Sequence, residues 1–178
     1  MSVVSTGASA AGRAWEVAAR VVDPELPMLT LADLGVLREV EARGGAIVVA
    51  ITPTYSGCPA MATMRNDLVR ALRDEGFVDV QVRIVLEPAW TTDWITPAGR
   101  AALAQAGISP PGAASTISDD GSARGPVPLQ LLPTRRAIRC PRCGAEEVAL
   151  VSEFGSTACR ALYRCEVCLE PFDHVKEL

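Results

Sequence analysis

The spacing of hydrophobic positions along the chain changes several times, and each change marks a predicted element. Ala14, Val17, Ala18 and Val21 recur at helical spacing and stop before Asp23-Pro24. The residue before a proline is pushed out of the helical region, so a first helix of about two turns follows. Val36 to Glu41 and Ala46 to Thr52 are short β-type runs separated by Ala42-Arg43-Gly44-Gly45, whose paired glycines suit a tight hairpin. The segment PAMATMRNDLVRALRDEG returns to helical spacing. Pro59 suits a first helical position, Met61, Met64, Leu68 and Leu72 form the apolar stripe, and Gly76 is the stop. From Val78 the pattern alternates strictly: Val78, Val80, Val82, Ile84 and Leu86 on one face, Asp79, Gln81, Arg83 and Glu87 on the other. Such alternation predicts a strand with one face buried. A right-handed crossover through the long helix lays this strand parallel to the one that entered the helix. Thr96 then caps a last helix, opened by Pro97 and closed at Gly107.

The order is α-β-β-α-β plus a C-terminal helix, an α+β helix/sheet sandwich over residues 1–108. Ser109 to Pro133 is dense in Pro, Gly and Ser with no apolar period, the composition of a linker, which we bound at 109–135. Residues 136–178 form a second, smaller unit built around cysteines.

With 178 residues, 49% of them hydrophobic, the chain is long enough for one medium domain and a small appendage. No apolar run approaches the roughly 20 residues of a spanning helix, and the N-terminus lacks the basic start and apolar stretch of a signal peptide. These features predict a cytoplasmic protein with no membrane partner. The net charge of -4 lies upstream, because from Arg135 onward seven basic side chains face seven acidic ones. Neither part carries the positive excess that phosphate-backbone binding requires, so nucleic acid is not expected as a partner.

Of the six cysteines, Cys140, Cys143, Cys165 and Cys168 form two C-x-x-C pairs twenty-one residues apart. Each pair sets two thiolates on a tight turn, and two such turns complete a tetrahedron of soft sulfur ligands. In a reducing compartment this predicts a tetracysteine zinc ribbon with structural zinc; iron in a rubredoxin-like site uses the same ligands. A closed four-sulfur site leaves no position for substrate.

Cys159 is left over from the tetrad. Its readings are a small buried hydrophobe or a ligand or redox partner. Cys58 lies in TPTYSGCPA, between a strand end and a helix start. A thiolate is favoured there, so the position predicts an iron-sulfur ligand or reactive thiol, against the alternative of a helix cap. A Cys-His hydrolase is improbable, since the only histidine is His174 in the other unit. No catalytic residue is assigned. Asp23, Glu25 and Asp33 could form an acidic patch or be ordinary loop charges; Trp90 and Trp94 belong to the core or to a partner surface.

The segments VDPELPMLTLADLGVL, TPTYSGCPAM and LEPAWTTDWIT resemble iron-sulfur assembly factors of the SufT kind, with their DPE-type acidic motif and a cysteine before proline. Together with FGSTACRALYRCEVCLEPFDHVK, the chain resembles the D-component family of the bacterial phenylacetyl-CoA epoxidase system, over Val21 to Pro111 and Arg139 to Lys176. The resemblance implies a non-oxygenase accessory subunit that matures or inserts a metal centre, with the other epoxidase subunits as partners. Self-association is left open. By position Cys58 matches the family's conspicuous cysteine, Asp23 and Glu25 its acidic motif, and the tetrad its ribbon. A transient iron-sulfur cluster is the implied cargo. The alternative within the same system is a redox component that carries its own metal centre.

Overall fold

The computed structural model describes residues 9–55, 57–112 and 138–176. Helix α1 (Ala10–Ala18) buries Ala14, Val17 and Ala18 and is capped by the Ser9 side chain. Strands β1 (Leu37–Arg43) and β2 (Ala46–Ile51) form the antiparallel hairpin, turned at Gly44 and Gly45 with φ of 57° and 90°. Both angles lie where side-chain-bearing residues are disfavoured, which is why the turn needs this pair. Helix α2 (Met61–Asp74) buries Met64, Leu68 and Leu72. Strand β3 (Val80–Ile84) returns parallel to β2, so the crossover has the expected sense of pairing. The sheet order is β1-β2-β3. Helix α3 (Pro97–Gln105) opens at the Thr96 cap.

Three details depart from the expected elements. Helix α2 starts at Met61, not at Pro59, and Ala60 makes no side-chain cap. On β3 only Val80 and Val82 pack against the core, whereas Val78, Ile84 and Leu86 are 89%, 53% and 60% exposed. Alternation signals a two-faced strand, but β3 is an edge strand of the sheet, packed against α2. Asp33 does not join an acidic patch. Its carboxylate accepts the hydroxyls of Thr30 at 2.7 Å and Thr96 at 2.8 Å, and its carbonyl accepts the Thr96 N–H at 2.9 Å.

Asp33 therefore ties the loop after α1 to the start of α3. The Thr30 hydroxyl, outweighing partial burial, holds its carboxyl below the usual carboxylate range, with Thr96 helping. A depressed folded pKa contributes stability that is present above the unfolded value of about 3.9 and lost as pH falls through the folded one. Thr96→Val removes this bond and the α3 cap together. Urea denaturation at neutral pH is expected to show a loss of about 1 kcal/mol, shrinking once Asp33 is protonated.

Strands β4 (Val148–Ser152), β5 (Arg160–Cys165) and β6 (Pro171–Val175) form a second antiparallel sheet. Its small core is Ile138, Cys140, Cys165 and Phe172. This sheet is packed on the upstream unit. Val175 belongs to the main core beside Leu103 and Ile108, and Ser109 forms a parallel bridge with His174. The Ser109 N–H donates to Asp173 O at 2.8 Å and the Val175 N–H to Ser109 O at 3.1 Å. Ser109, the first residue of the segment assigned to a linker, is thus buried; residues 113–135 of that segment lie outside the described residues. No helix among the described residues is long and apolar enough to cross a membrane.

Candidate functional site

The four tetrad sulfurs lie within 4.8 Å of one another. Cys140 Sγ is 3.7 Å from Cys168 Sγ and Cys143 Sγ is 3.6 Å from Cys165 Sγ. A tetrahedral ion with sulfur ligands at about 2.3 Å requires edges of about 3.8 Å, so the donor set fits one metal ion. The turns that hold the pairs are alike: Gly144 follows one pair with φ of 77° and Leu169 the other with φ of 64°. The Cys168 N–H donates to Cys165 Sγ at 3.4 Å, and this contact leads in lowering that thiol to about 7. At Cys143 the Ala145 N–H acts downward, but sharing protons with Cys168, Cys165 and Cys140 pushes the thiol up to about 12. Metal binding to the tetrad must therefore displace protons.

A second group of candidates meets where the two units touch. Residues 22–30 make a compact loop closed by the Val22–Thr30 bridge, with the Asp23 N–H donating to Leu29 O at 2.9 Å. Asp23 is 3% exposed, and its Oδ1 accepts the Glu25 and Leu26 N–H groups, both at 2.7 Å. Burial pushes its carboxyl up, against these bonds and the Arg160 charge. The structure thus separates the two acids of the motif: Asp23 builds the loop, and Glu25 meets the ribbon. Glu25 Oε2 lies 3.9 Å from Cys159 Sγ.

The oxygen acceptor rather than the negative charge of Asp23 supports this loop. Asp23→Asn is accordingly expected to leave stability unchanged or raise it, because the buried ionised form is the disfavoured one. Asp23→Ala strands two N–H donors and is expected to cost about 1–3 kcal/mol. Equal losses in the two variants on urea denaturation would show that the charge itself holds the loop.

Cys58 sits before α2 at 9% exposure, in the main core cluster. The sequence position predicted a stabilised thiolate, and the structure corrects this. Burial pushes the Cys58 thiol up; the Ala60 N–H works downward, and Glu25, Asp23 and Cys159 raise it further. The helix start is real, but desolvation and neighbouring anions outweigh it. Cys159 is partly buried and likewise raised, by burial first, while the Thr157 hydroxyl at 3.1 Å lowers it. Tyr55, packed against the core, is raised by burial and then by Cys58, Glu25 and Cys159. Burial thus favours the neutral form of both the Cys58 and Cys159 thiols.

Residues without an obvious motif position this group. Arg160, 9% exposed, donates from Nε to Thr157 Oγ1 at 3.0 Å, from Nη1 to Asp173 Oδ2 at 3.1 Å, and from Nη2 to the Glu25 carbonyl at 3.2 Å. It clamps the ribbon to the acidic loop. Gly155 is forced by close approach: a Cβ there would lie 2.7 Å from Asp173 Oδ1. The Ser156 hydroxyl donates to Asp173 Oδ2 at 2.8 Å. Sequence reading treated FGSTACR as a family signature and gave Arg160, Gly155 and Asp173 no role; an arginine directly after the unassigned cysteine was the available signal. Trp90, 6% exposed, donates from Nε1 to Leu34 O at 2.9 Å and is core, while Trp94 stacks under Arg38 at 3.4 Å.

Comparison with known proteins follows the same division. Residues 15–84 match the family described as iron-sulfur cluster assembly protein, and residues 124–176 match the PaaD zinc beta ribbon domain. The chain is 46% identical, over 91% of its length and 90% of the relative's, to a protein of Escherichia coli (strain K12) provisionally named as the D component of 1,2-phenylacetyl-CoA epoxidase. The chain belongs to the PaaD family. This PaaD-family chain is also 34% identical, over 47% of its length and 83% of the relative's, to the Fe-S protein maturation auxiliary factor YitW of Bacillus subtilis (strain 168). A crystal structure of a domain of unknown function, DUF59, from Bacillus anthracis aligns with a TM-score of 0.48 and 24% identity, covering 52% of the PaaD-family chain and 90% of that domain. An α+β unit joined to a tetracysteine ribbon is the architecture of this PaaD-family chain.

Proposed function

We propose that this protein is a non-oxygenase accessory component of a phenylacetyl-CoA epoxidase system, and that it handles iron, as an ion or an iron-sulfur cluster, for maturation of a metal centre in that system. The observation that carries this reading is the buried Cys58 thiol, within electrostatic range of Glu25 and Cys159, in a domain matched to iron-sulfur cluster assembly. A thiol held neutral by burial and released by metal is suited to a cargo that must be taken up and passed on. The tetrad is a different kind of site. Four sulfurs close the coordination sphere, which supports structural zinc and leaves no position for cargo. The partners are the other epoxidase subunits. Exposed Leu150, Val151, Phe154, Val167 and Leu169 on the ribbon supply apolar surface for such contacts.

The reading is tested by co-expressing the oxygenase subunits with and without this chain. Oxygenase made without it is expected to carry less iron and proportionately less epoxidase activity. Full iron loading and full activity in its absence would end the proposal.

A further inference from the structure

We propose that two copies of this chain join through the open edge of β3, antiparallel about Val82, so that their three-stranded sheets become one sheet of six strands. Such a pairing is independent of the metal reading above.

The backbone of β3 sets the register. Asp79 O accepts the Ile47 N–H at 2.8 Å and the Val85 N–H donates to Ile51 O at 2.9 Å, so the odd-numbered residues turn their polar groups toward β2. Successive residues of a strand turn these groups to opposite sides. The N–H and C=O groups of Val80, Val82 and Ile84 therefore lie on the outer edge, where no strand pairs among the described residues. A copy centred on Val82 sets Val82 against its own counterpart and Val80 against Ile84. All of these are then hydrogen-bonded pairs, a ladder of about six bonds.

The side chains agree with that register on both faces. On the face that meets the core, the exposed Ile84 stands opposite Val80 of the second copy. In the same register the exposed Val78 stands opposite Leu86 of the second copy, just beyond the strand ends. Apolar groups left uncovered on one chain thus gain apolar partners. On the other face Gln81 stands opposite Arg83 of the second copy, and Asp79 is diagonal to that same arginine, a separation that a long side chain spans. Opposite charges then meet at both ends of the join. Arg83 also holds Glu39 of its own chain at 2.6 Å, and a guanidinium has donors for both carboxylates. The far edge of the sheet is blunted instead: β1 has a register shift between Leu37 and Glu39 and carries Arg38, Glu39, Glu41 and Arg43.

The test is sedimentation equilibrium of the full chain, with its ribbon metal in place, over a range of concentrations. Wild type is expected to pass from the mass of one chain to the mass of two. Ile84→Lys, which sets a charge against Val80 of the second copy, is expected to weaken that association at least about tenfold, with ribbon metal and circular dichroism unchanged. Cross-linking reads the register separately. Gln81→Cys mixed with Arg83→Cys is expected to form a disulfide-linked dimer under mild oxidation, because facing residues of a non-hydrogen-bonded pair have Cα atoms about 4.5 Å apart. Either variant alone is expected to cross-link several-fold more slowly, since its two thiols then lie on a diagonal. A wild-type chain that stays monomeric at every concentration overturns the proposal. So does an Ile84→Lys protein that associates as tightly as wild type, or a mixed pair that cross-links no faster than the single variants. A monomer whose binding to the oxygenase subunits is lost in Ile84→Lys also overturns it, and places a client strand on this edge in place of a second copy.

Discussion

Cys165→Ser is expected to release the ribbon metal and unfold residues 138–176 while the upstream unit remains folded. The ribbon's own core is Ile138, Cys140, Cys165 and Phe172, two of which are metal ligands. A core this small does not hold a fold alone, and the free energy of thiolate ligation supplies what is missing. The consequence is not confined to the ribbon. Val175 leaves the main core and Ser109 loses its pairing with β6, so the upstream unit is expected to lose about 1–3 kcal/mol. Metal analysis with limited proteolysis and mass spectrometry reads both effects: no bound metal, and a resistant fragment that ends upstream of the ribbon. Retention of the metal and of protease resistance across residues 138–176 would contradict the tetrad assignment.

Arg160→Met is expected to undock the ribbon without emptying it. Strand β5 has Arg160 at one end and Cys165 at the other, so a single strand carries the clamp and a metal ligand. Methionine keeps the apolar bulk but loses the bonds to Thr157, Asp173 and the Glu25 carbonyl. The Arg160 and Asp173 side chains are 11% and 19% exposed, and leaving this nearly buried carboxylate without its cation is expected to cost about 2–4 kcal/mol, somewhat under the range for a fully buried pair. Cys159 should then react faster with iodoacetamide while the ribbon metal is retained. Unchanged stability and unchanged Cys159 reactivity would mean that the clamp holds nothing.

What the sequence disclosed and what it hid follow from the range of each interaction. The tetrad was legible because each half is a tight turn, so residue spacing reports the geometry directly. Helix α2, the Gly44-Gly45 hairpin and the Thr96 cap were legible for the same reason. The face of β3 was misread because alternation records that a strand has two sides, not that it lies at a sheet edge. Cys58 was placed correctly at a helix start but given the wrong protonation tendency, since burial and the Glu25 and Asp23 charges come from elsewhere in the chain. The meeting of Cys159 with Glu25, separated by 134 positions, depends on how the ribbon docks, and no local pattern encodes that.

The claim on which the account turns is that the Cys58 site, and not the ribbon tetrad, handles the metal cargo. Its most direct test is the iron content of oxygenase subunits matured alongside Cys58→Ala protein, with the metal content of the variant's own ribbon measured in the same preparation. Removing one small buried thiol is expected to leave the fold and the ribbon metal intact while client iron falls toward the level seen without the protein. Fully iron-loaded, fully active oxygenase matured with Cys58→Ala would contradict the account and leave Cys58 as a buried residue before a helix.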